Sequence, residues 1–168
     1  MTVQIDVTIA SDEWERFEAP AEFVEKVILT AAAGCGKRLM ADAEISILLC
    51  TDSFMRDLNR KWRGIDQPTN VLSFPAADPP ATGPLLGDIA IAFGTAAREA
   101  AAEGKLLRDH VAHLLVHGFL HLVGYDHQES AEAEAMESLE STLLRHLGIA
   151  DPYAAPGLKE SVGAHERA

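Results

Sequence analysis

The chain has 168 residues, 48% of them hydrophobic and 24% charged, and a formal net charge of −12 from 26 acidic and 14 basic side chains. This suits one globular domain and excludes two large domains, disorder along the whole length and a general nucleic-acid coat, although a local basic site stays open. No signal-peptide segment and no run of about 20 apolar residues is present, so a soluble, unprocessed protein without a membrane span is expected. Two cysteines, Cys35 and Cys50, cannot build a disulfide framework and fit a reduced cytoplasmic setting.

Residues Val3 to Ile9 alternate with the period of a half-buried strand. Helical spacing of Phe23, Val24, Val27, Ile28 and Ala31, opened by Pro20, predicts a helix ending near Gly34. Ile45 to Cys50 is short and almost wholly apolar, as in a strand covered on both faces. A short helix is expected over Ser53 to Trp62, with Trp62 read as core in preference to a base-stacking platform, followed by a turn at Gly64 to Pro68 and a brief apolar run from Val71 to Phe74. Pro75 to Pro84 holds four prolines in ten residues and predicts an exposed, mobile loop. Gly87 to Phe93 alternates like a strand, and Gly94 to Glu103 should be helical. Two longer helices are predicted, Leu106 to about Val123 and Glu129 to Leu147, the second with Met136, Leu139, Leu143 and Leu147 on one stripe. The expected organisation is a single domain over 1–150 and a frayed tail over 151–168. Interspersed strands and helices point to an α+β or α/β layered architecture.

Five of the seven histidines lie between positions 110 and 127. His110, His113, His117 and His121 form one stripe on a helix. Positions i and i+4 lie close enough for two imidazoles to converge on one ion, and His117 and His121 are such a pair. Gly124 can end the helix and turn the chain back so that His127 supplies a third ligand. Three imidazoles with one open position form a catalytic zinc arrangement, although imidazole also suits nickel, copper and iron. A His113 and His117 pair is sterically possible too, but it leaves Gly124 and His127 without a role. His110 and His113 are open to three readings: second-sphere, RNA-facing or structural. The spacing matches that of metzincin proteases, but Gly118 stands where those carry a general-base Glu, which weakens a peptidase reading.

Arg56, Arg60, Lys61 and Arg63 place four of the fourteen basic residues within eight positions, whereas Asp126 to Glu140 contains six acids and no Lys or Arg. Such a cluster can bind phosphate, and Arg63, at the start of the turn from Arg63 to Asn70, can offer a bidentate guanidinium. Gly36-Lys37 lacks the other residues of a phosphate loop.

Three stretches together carry a resemblance: Leu58-Asn-Arg-Lys-Trp-Arg-Gly64 running into Gln67-Pro-Thr-Asn-Val-Leu-Ser-Phe-Pro75, then Leu86-Gly-Asp-Ile89, then His117-Gly-Phe-Leu-His-Leu-Val-Gly-Tyr-Asp-His127. With the closing Asp151-Pro-Tyr153 they resemble the YbeY family of bacterial rRNA maturation factors from about residue 40 to 153. The resemblance implies a zincin-like α+β domain with a small mixed sheet packed by helices. It implies a single-strand-specific, metal-dependent endoribonuclease acting in 16S rRNA 3′-end processing and ribosome quality control. One zinc ion per chain would be held by His117, His121 and His127, and the family's important arginine falls on Arg63. Asn70 receives no acid or base role. The expected catalytic residues are thus Arg63 and His117, and the expected RNA contacts Arg56, Arg60, Lys61 and Arg63. The partners are 16S rRNA precursor and ribosomal or small-subunit assembly factors. A carboxylate assisting water is open, with Asp88 and Asp126 as candidates. Two competitors are a small zinc metallopeptidase and a non-catalytic assembly factor with structural zinc.

Overall fold

The computed structural model describes residues 3–77, 79–80, 82–126 and 128–153. Strand β1 (Gln4–Ile9) follows the predicted alternation. A 3-10 turn at Asp12–Arg16, which no periodicity announced, drops Trp14 into the core, where its Nε1 donates to Cys50 O at 3.1 Å. Helix α1 (Pro20–Gly34) starts on proline, whose missing N–H has no partner to lose there, and buries Val24, Val27, Ile28 and Ala31. Strand β2 (Glu44–Cys50) leads into α2 (Asp52–Arg63), capped by Thr51, whose hydroxyl accepts from Phe54 N at 3.1 Å. The helix runs one residue past its expected end to include Arg63 and stops on Gly64 at φ 72°, the left-handed conformation glycine adopts without cost.

Strands β3 (Val71–Pro75) and β4 (Leu85–Ala92) are followed by α3 (Phe93–Ala102), α4 (Leu107–Leu122) and α5 (Ser130–His146). The sheet order is β1-β2-β4-β3, with β1, β2 and β4 parallel and β3 antiparallel to β4 at one edge. The result is the expected α+β fold with a small mixed sheet. Because side chains alternate across a strand, Ile45, Ile47, Leu49, Ile89, Ile91 and Val71 share one face, which packs with α1, α4 and α5 into the main core. Leu48, Cys50, Ala90, Ala92, Leu72 and Phe74 face the other way, onto Met55 and Leu58 of α2. Burial there pushes the Cys50 thiol up to about 12, with Asp52 adding to the effect, so this cysteine is an inert core group.

Helix α4 is central, touching α1, α3, α5, β3 and β4, and twelve of its residues are buried, from His110 to Leu122. It has no single apolar stripe because it has almost no solvent face. Two close approaches fall at glycines. A Cβ on Gly34 would stand 2.6 Å from Leu143 Cδ2 and make that side chain shift where α1 meets α5, and one on Gly118 would stand 3.0 Å from Ser73 Oγ and 3.2 Å from Ile89.

Two expectations need correction. The proline-rich loop is not wholly loose, because Met40 N donates to Thr82 O and Glu44 N to Pro84 O, tying its end to the start of β2 and the chain just before it; residues 78 and 81 lie outside the described residues. The predicted tail begins too early, since Asp151 Oδ1 accepts from Ser141 Oγ at 2.7 Å and from Tyr153 N at 2.9 Å, and Pro152 is buried. Residues 154–168 lie outside the described residues. No helix among the described residues is long and apolar enough to cross a membrane.

Helix α3 lacks a side-chain cap of its own, and Asp52 supplies one from α2. Its Oδ1 accepts from Thr95 N and Thr95 Oγ1, both at 2.9 Å, and its Oδ2 from Arg98 Nη2 at 2.8 Å. Burial pushes this carboxyl up, but the donors from Arg98 and Thr95 outweigh it, and the group sits below the ordinary carboxylate range. A lowered pKa contributes stability that is complete above the unfolded-state value and fades as pH falls through the folded one. Asp52→Asn is therefore expected to cost about 1–2 kcal/mol at pH 7 and progressively less as pH falls below the ordinary carboxylate range, measured as urea midpoints across that span.

Candidate functional site

The histidine stripe on α4 separates into three environments. His110 is fully buried, and its Nε2 meets Glu99 Oε1 at 2.8 Å; the same oxygen accepts from Asn70 Nδ2 at 3.0 Å. Asn70 in turn receives Val71 N on its Oδ1 at 2.7 Å, which satisfies a backbone donor of the edge strand β3. His113 is also buried, and its Nε2 faces Glu140 Oε1 at 3.0 Å and Tyr153 OH at 3.2 Å. Neither ring faces outward to RNA. Burial holds His113 below the ordinary imidazole range although Glu140 pulls the other way, so it stays neutral around pH 7.

His117 and His121 are arranged differently. His117 Nδ1 lies 2.7 Å from Glu140 Oε2, and His121 Nδ1 lies 3.0 Å from the carbonyl oxygen of Tyr125. Both partners are acceptors, which assigns the proton of each ring to Nδ1 and leaves Nε2 presenting a lone pair. The two Nε2 atoms face each other at 3.1 Å. Tetrahedral zinc with Zn–N of about 2.0–2.1 Å sets two ligand nitrogens roughly 3.3 Å apart, so this pair already has the spacing of two ligands on one ion. The His117 and His121 rings are 4.6 Å apart, whereas His113 and His117 are 6.5 Å apart, so the alternative pair is not the one that converges. The backbone after the helix turns as expected: Tyr125 N donates to Leu120 O at 2.9 Å and Gly124 takes φ 105°. The third expected ligand, His127, lies outside the described residues, and among the described residues no group of three metal-ligating side chains assembles.

Glu140 was missed at the sequence level. The segment containing it reads as a run of six acids with no Lys or Arg, yet Glu140 is only 1% exposed and accepts from His113, His117 and the hydroxyl of Tyr153. Burial alone would raise its pKa, but the hydrogen bonds from His113 and His117 dominate and hold it far below the usual carboxylate range. A signal was present: Glu140 lies four residues after Met136 and three before Leu143, on the buried stripe of α5.

Arg63, at the end of α2, reaches the edge of the sheet. Ala92 N donates to Asn70 O and Ala76 N to Leu86 O, so the even residues of β3 face β4 and Ser73 turns its carbonyl outward. Arg63 Nη2 donates to that carbonyl at 3.1 Å, and Ser73 Oγ donates to Gly118 O at 3.2 Å, one residue after His117. The guanidinium and the imidazole pair are thereby tied to the same strand residue. A side chain at Gly118 would point at Ser73 and Ile89, so the position where metzincins carry a glutamate is packed against the sheet.

The other predicted RNA contacts fare differently. Arg56 pairs with Asp66 at 2.8 Å and 3.0 Å, and Arg60 pairs with Asp57 at 3.0 Å and Asp66 at 3.4 Å. The turn folds Asp66 back over the helix, so these two charges are largely compensated. Lys61 Nζ lies 5.2 Å from the Trp62 ring and Arg63 lies 5.8 Å from that of Phe74. Trp62 is not a core residue: it is 61% exposed, because α2 covers only part of its sheet face. Beside it lies an open cleft of about 670 Å³ bordered by Leu58, Trp62, Arg63, Phe74, Ser46 and Asp88. Asp88 shares this face with its register partners Ser46 and Phe74, opposite the face that packs on α4, which removes it as a carboxylate acting beside His117.

A four-stranded mixed sheet, with a buried helix carrying paired imidazoles and a guanidinium hydrogen-bonded to the edge strand, defines a class of α+β domain with a histidine site beside that edge. Comparison with known proteins narrows the class. Residues 8–148 match the family model described as Endoribonuclease YbeY. The chain is 57% identical to the Endoribonuclease YbeY of Methylocella silvestris over 152 residues, covering 90% of this chain and 86% of that one. It is 53% identical to that of Rhodopseudomonas palustris strain BisB18 over 154 residues, covering 89% and 91%. The solution structure of TM1509 from Thermotoga maritima has the same fold, with a TM-score of 0.57 at 21% identity over 87% of this chain and 89% of that one. The chain belongs to the YbeY family of endoribonucleases.

Proposed function

We propose that this endoribonuclease is zinc-dependent and specific for single-stranded RNA, and that it acts in the cytoplasm on the 16S rRNA precursor, in 3′-end maturation and ribosome quality control, in company with ribosomal or small-subunit assembly factors. The observation that carries the metal reading is the pair of Nε2 atoms 3.1 Å apart on His117 and His121, each set by an acceptor at its Nδ1. His127, six residues after His121 and beyond the Gly124 turn, would be the third ligand of the set. When bound, zinc supplies Lewis acidity toward water, whose pKa falls from about 15.7 toward about 7, and toward a phosphoryl oxygen. Arg63 would hold the phosphate by charge-assisted hydrogen bonds and offset the charge that builds on its oxygens during cleavage. The exposed Trp62 borders the same cleft as Arg63, with Lys61 Nζ over its ring, and the two would grip an unpaired strand by stacking and by charge, which a paired duplex cannot offer.

The test is cleavage by metal-depleted protein, before and after zinc is restored, on a single-stranded RNA, its duplex and casein. Single-stranded RNA should be cut only with metal restored, the duplex at least about tenfold more slowly, and casein not at all, while far-UV circular dichroism stays constant. RNA cleavage at full rate without metal overturns the metal reading. Casein hydrolysis with intact RNA returns the peptidase, and loss of fold on depletion returns structural zinc.

A further inference from the structure

The closing Asp151-Pro-Tyr153 motif and the buried Glu140 have no part in the chemistry above, yet they meet behind the imidazole pair. Glu140 stands on α5 with both oxygens engaged: Oε2 accepts from His117 Nδ1 at 2.7 Å, and Oε1 accepts from His113 Nε2 at 3.0 Å and from the Tyr153 hydroxyl. Tyr153 is itself held, since Asp151 Oδ1 accepts from its backbone N at 2.9 Å and from Ser141 Oγ at 2.7 Å, the residue next to Glu140. The Tyr153 ring packs edge-on against His113 at 5.6 Å. A carboxylate buried this deeply costs several kcal/mol unless donors compensate it, and here it has three.

We infer that Glu140 is a positioning residue, fixing His117 in the Nδ1–H form with Nε2 aimed beside that of His121, and that Tyr153 and His113 keep its carboxylate in place for that task. This rests on the metal reading of the site. An imidazole that ligates through Nε2 must keep its proton on Nδ1, and a carboxylate acceptor both enforces that tautomer and makes Nε2 a stronger donor to a cation. The C-terminal motif therefore acts on α4 through α5.

The experiment uses the full chain and the variants Glu140→Gln and Tyr153→Phe, with three readouts: zinc affinity by chelator competition, the imidazole nitrogen NMR spectrum of the metal-free protein, and far-UV circular dichroism. Glu140→Gln should raise the zinc Kd by about 10–100-fold, and Tyr153→Phe by about 2–10-fold, the worth of one hydrogen bond. In both, the His117 nitrogens should shift from one fixed tautomer toward a mixture. If Glu140→Gln does not fold, Tyr153→Phe decides. Wild-type affinity and an unchanged tautomer in the folded variants overturn the inference and leave the metal reading standing. A wild-type chain that does not bind zinc overturns the metal reading, and the nitrogen spectrum then still tests whether Glu140 sets the His117 tautomer.

Discussion

His121→Ala is expected to reduce zinc affinity by at least about a hundredfold and to bring RNA cleavage to background while leaving the fold intact. A third of the proposed ligand set disappears, and a two-imidazole site holds a divalent cation far more weakly than a three-imidazole one. The structural cost should be small, since His121 is half-buried and its Nδ1 bond to Tyr125 O lies at the end of α4. The outcome is read by elemental analysis of purified protein beside single-turnover cleavage of an unstructured RNA. Cleavage at the wild-type rate, or stoichiometric zinc retained after dialysis, would show that the two facing nitrogens are not ligands. His117→Ala is the harsher variant, because it also strips a donor from the buried Glu140, and its loss of activity would mix chemistry with folding.

Arg63→Ala should lower kcat/KM for single-stranded RNA by about 10²–10³, the usual consequence of removing one donor aimed at developing charge, with zinc content unchanged. Its guanidinium is exposed and its hydrogen bond goes to an edge carbonyl that water can serve instead, so the melting temperature should move little. Arg63→Lys should recover only part of the rate, because an ammonium keeps the charge and loses the planar fork. Steady-state kinetics at two salt concentrations separates the outcomes: a change confined to KM that vanishes at high salt would reduce Arg63 to a general electrostatic contact.

Much of the site was legible because its signals are local. The i, i+4 pair of His117 and His121 needs only a helix, and a turn at Gly124 needs only a glycine free to adopt positive φ. Strands β1, β2 and β4 showed themselves by alternation or by continuous apolar runs. What stayed hidden depends on contacts between distant segments. Asp66 neutralises Arg56 and Arg60 only once the turn after α2 folds back, so a charge count along the helix overstated the free cations. Trp62 was misread as core because its burial depends on how much of the second sheet face α2 covers, which no local pattern encodes. Glu140 lies 23 residues from His117, and its acidic neighbours disguised the one carboxylate set on an apolar stripe. The order β1-β2-β4-β3, which puts an antiparallel strand at the edge beside Arg63, was equally beyond reach.

Ser73 gives its carbonyl to Arg63 and its hydroxyl to the backbone of α4 at Gly118, and no side chain intervenes. This amounts to a short strut between the Arg63 guanidinium and the helix that carries the imidazole pair. The distance from guanidinium to imidazoles is therefore carried by the main chain of β3 and α4 joined through one serine, and not by flexible side chains alone.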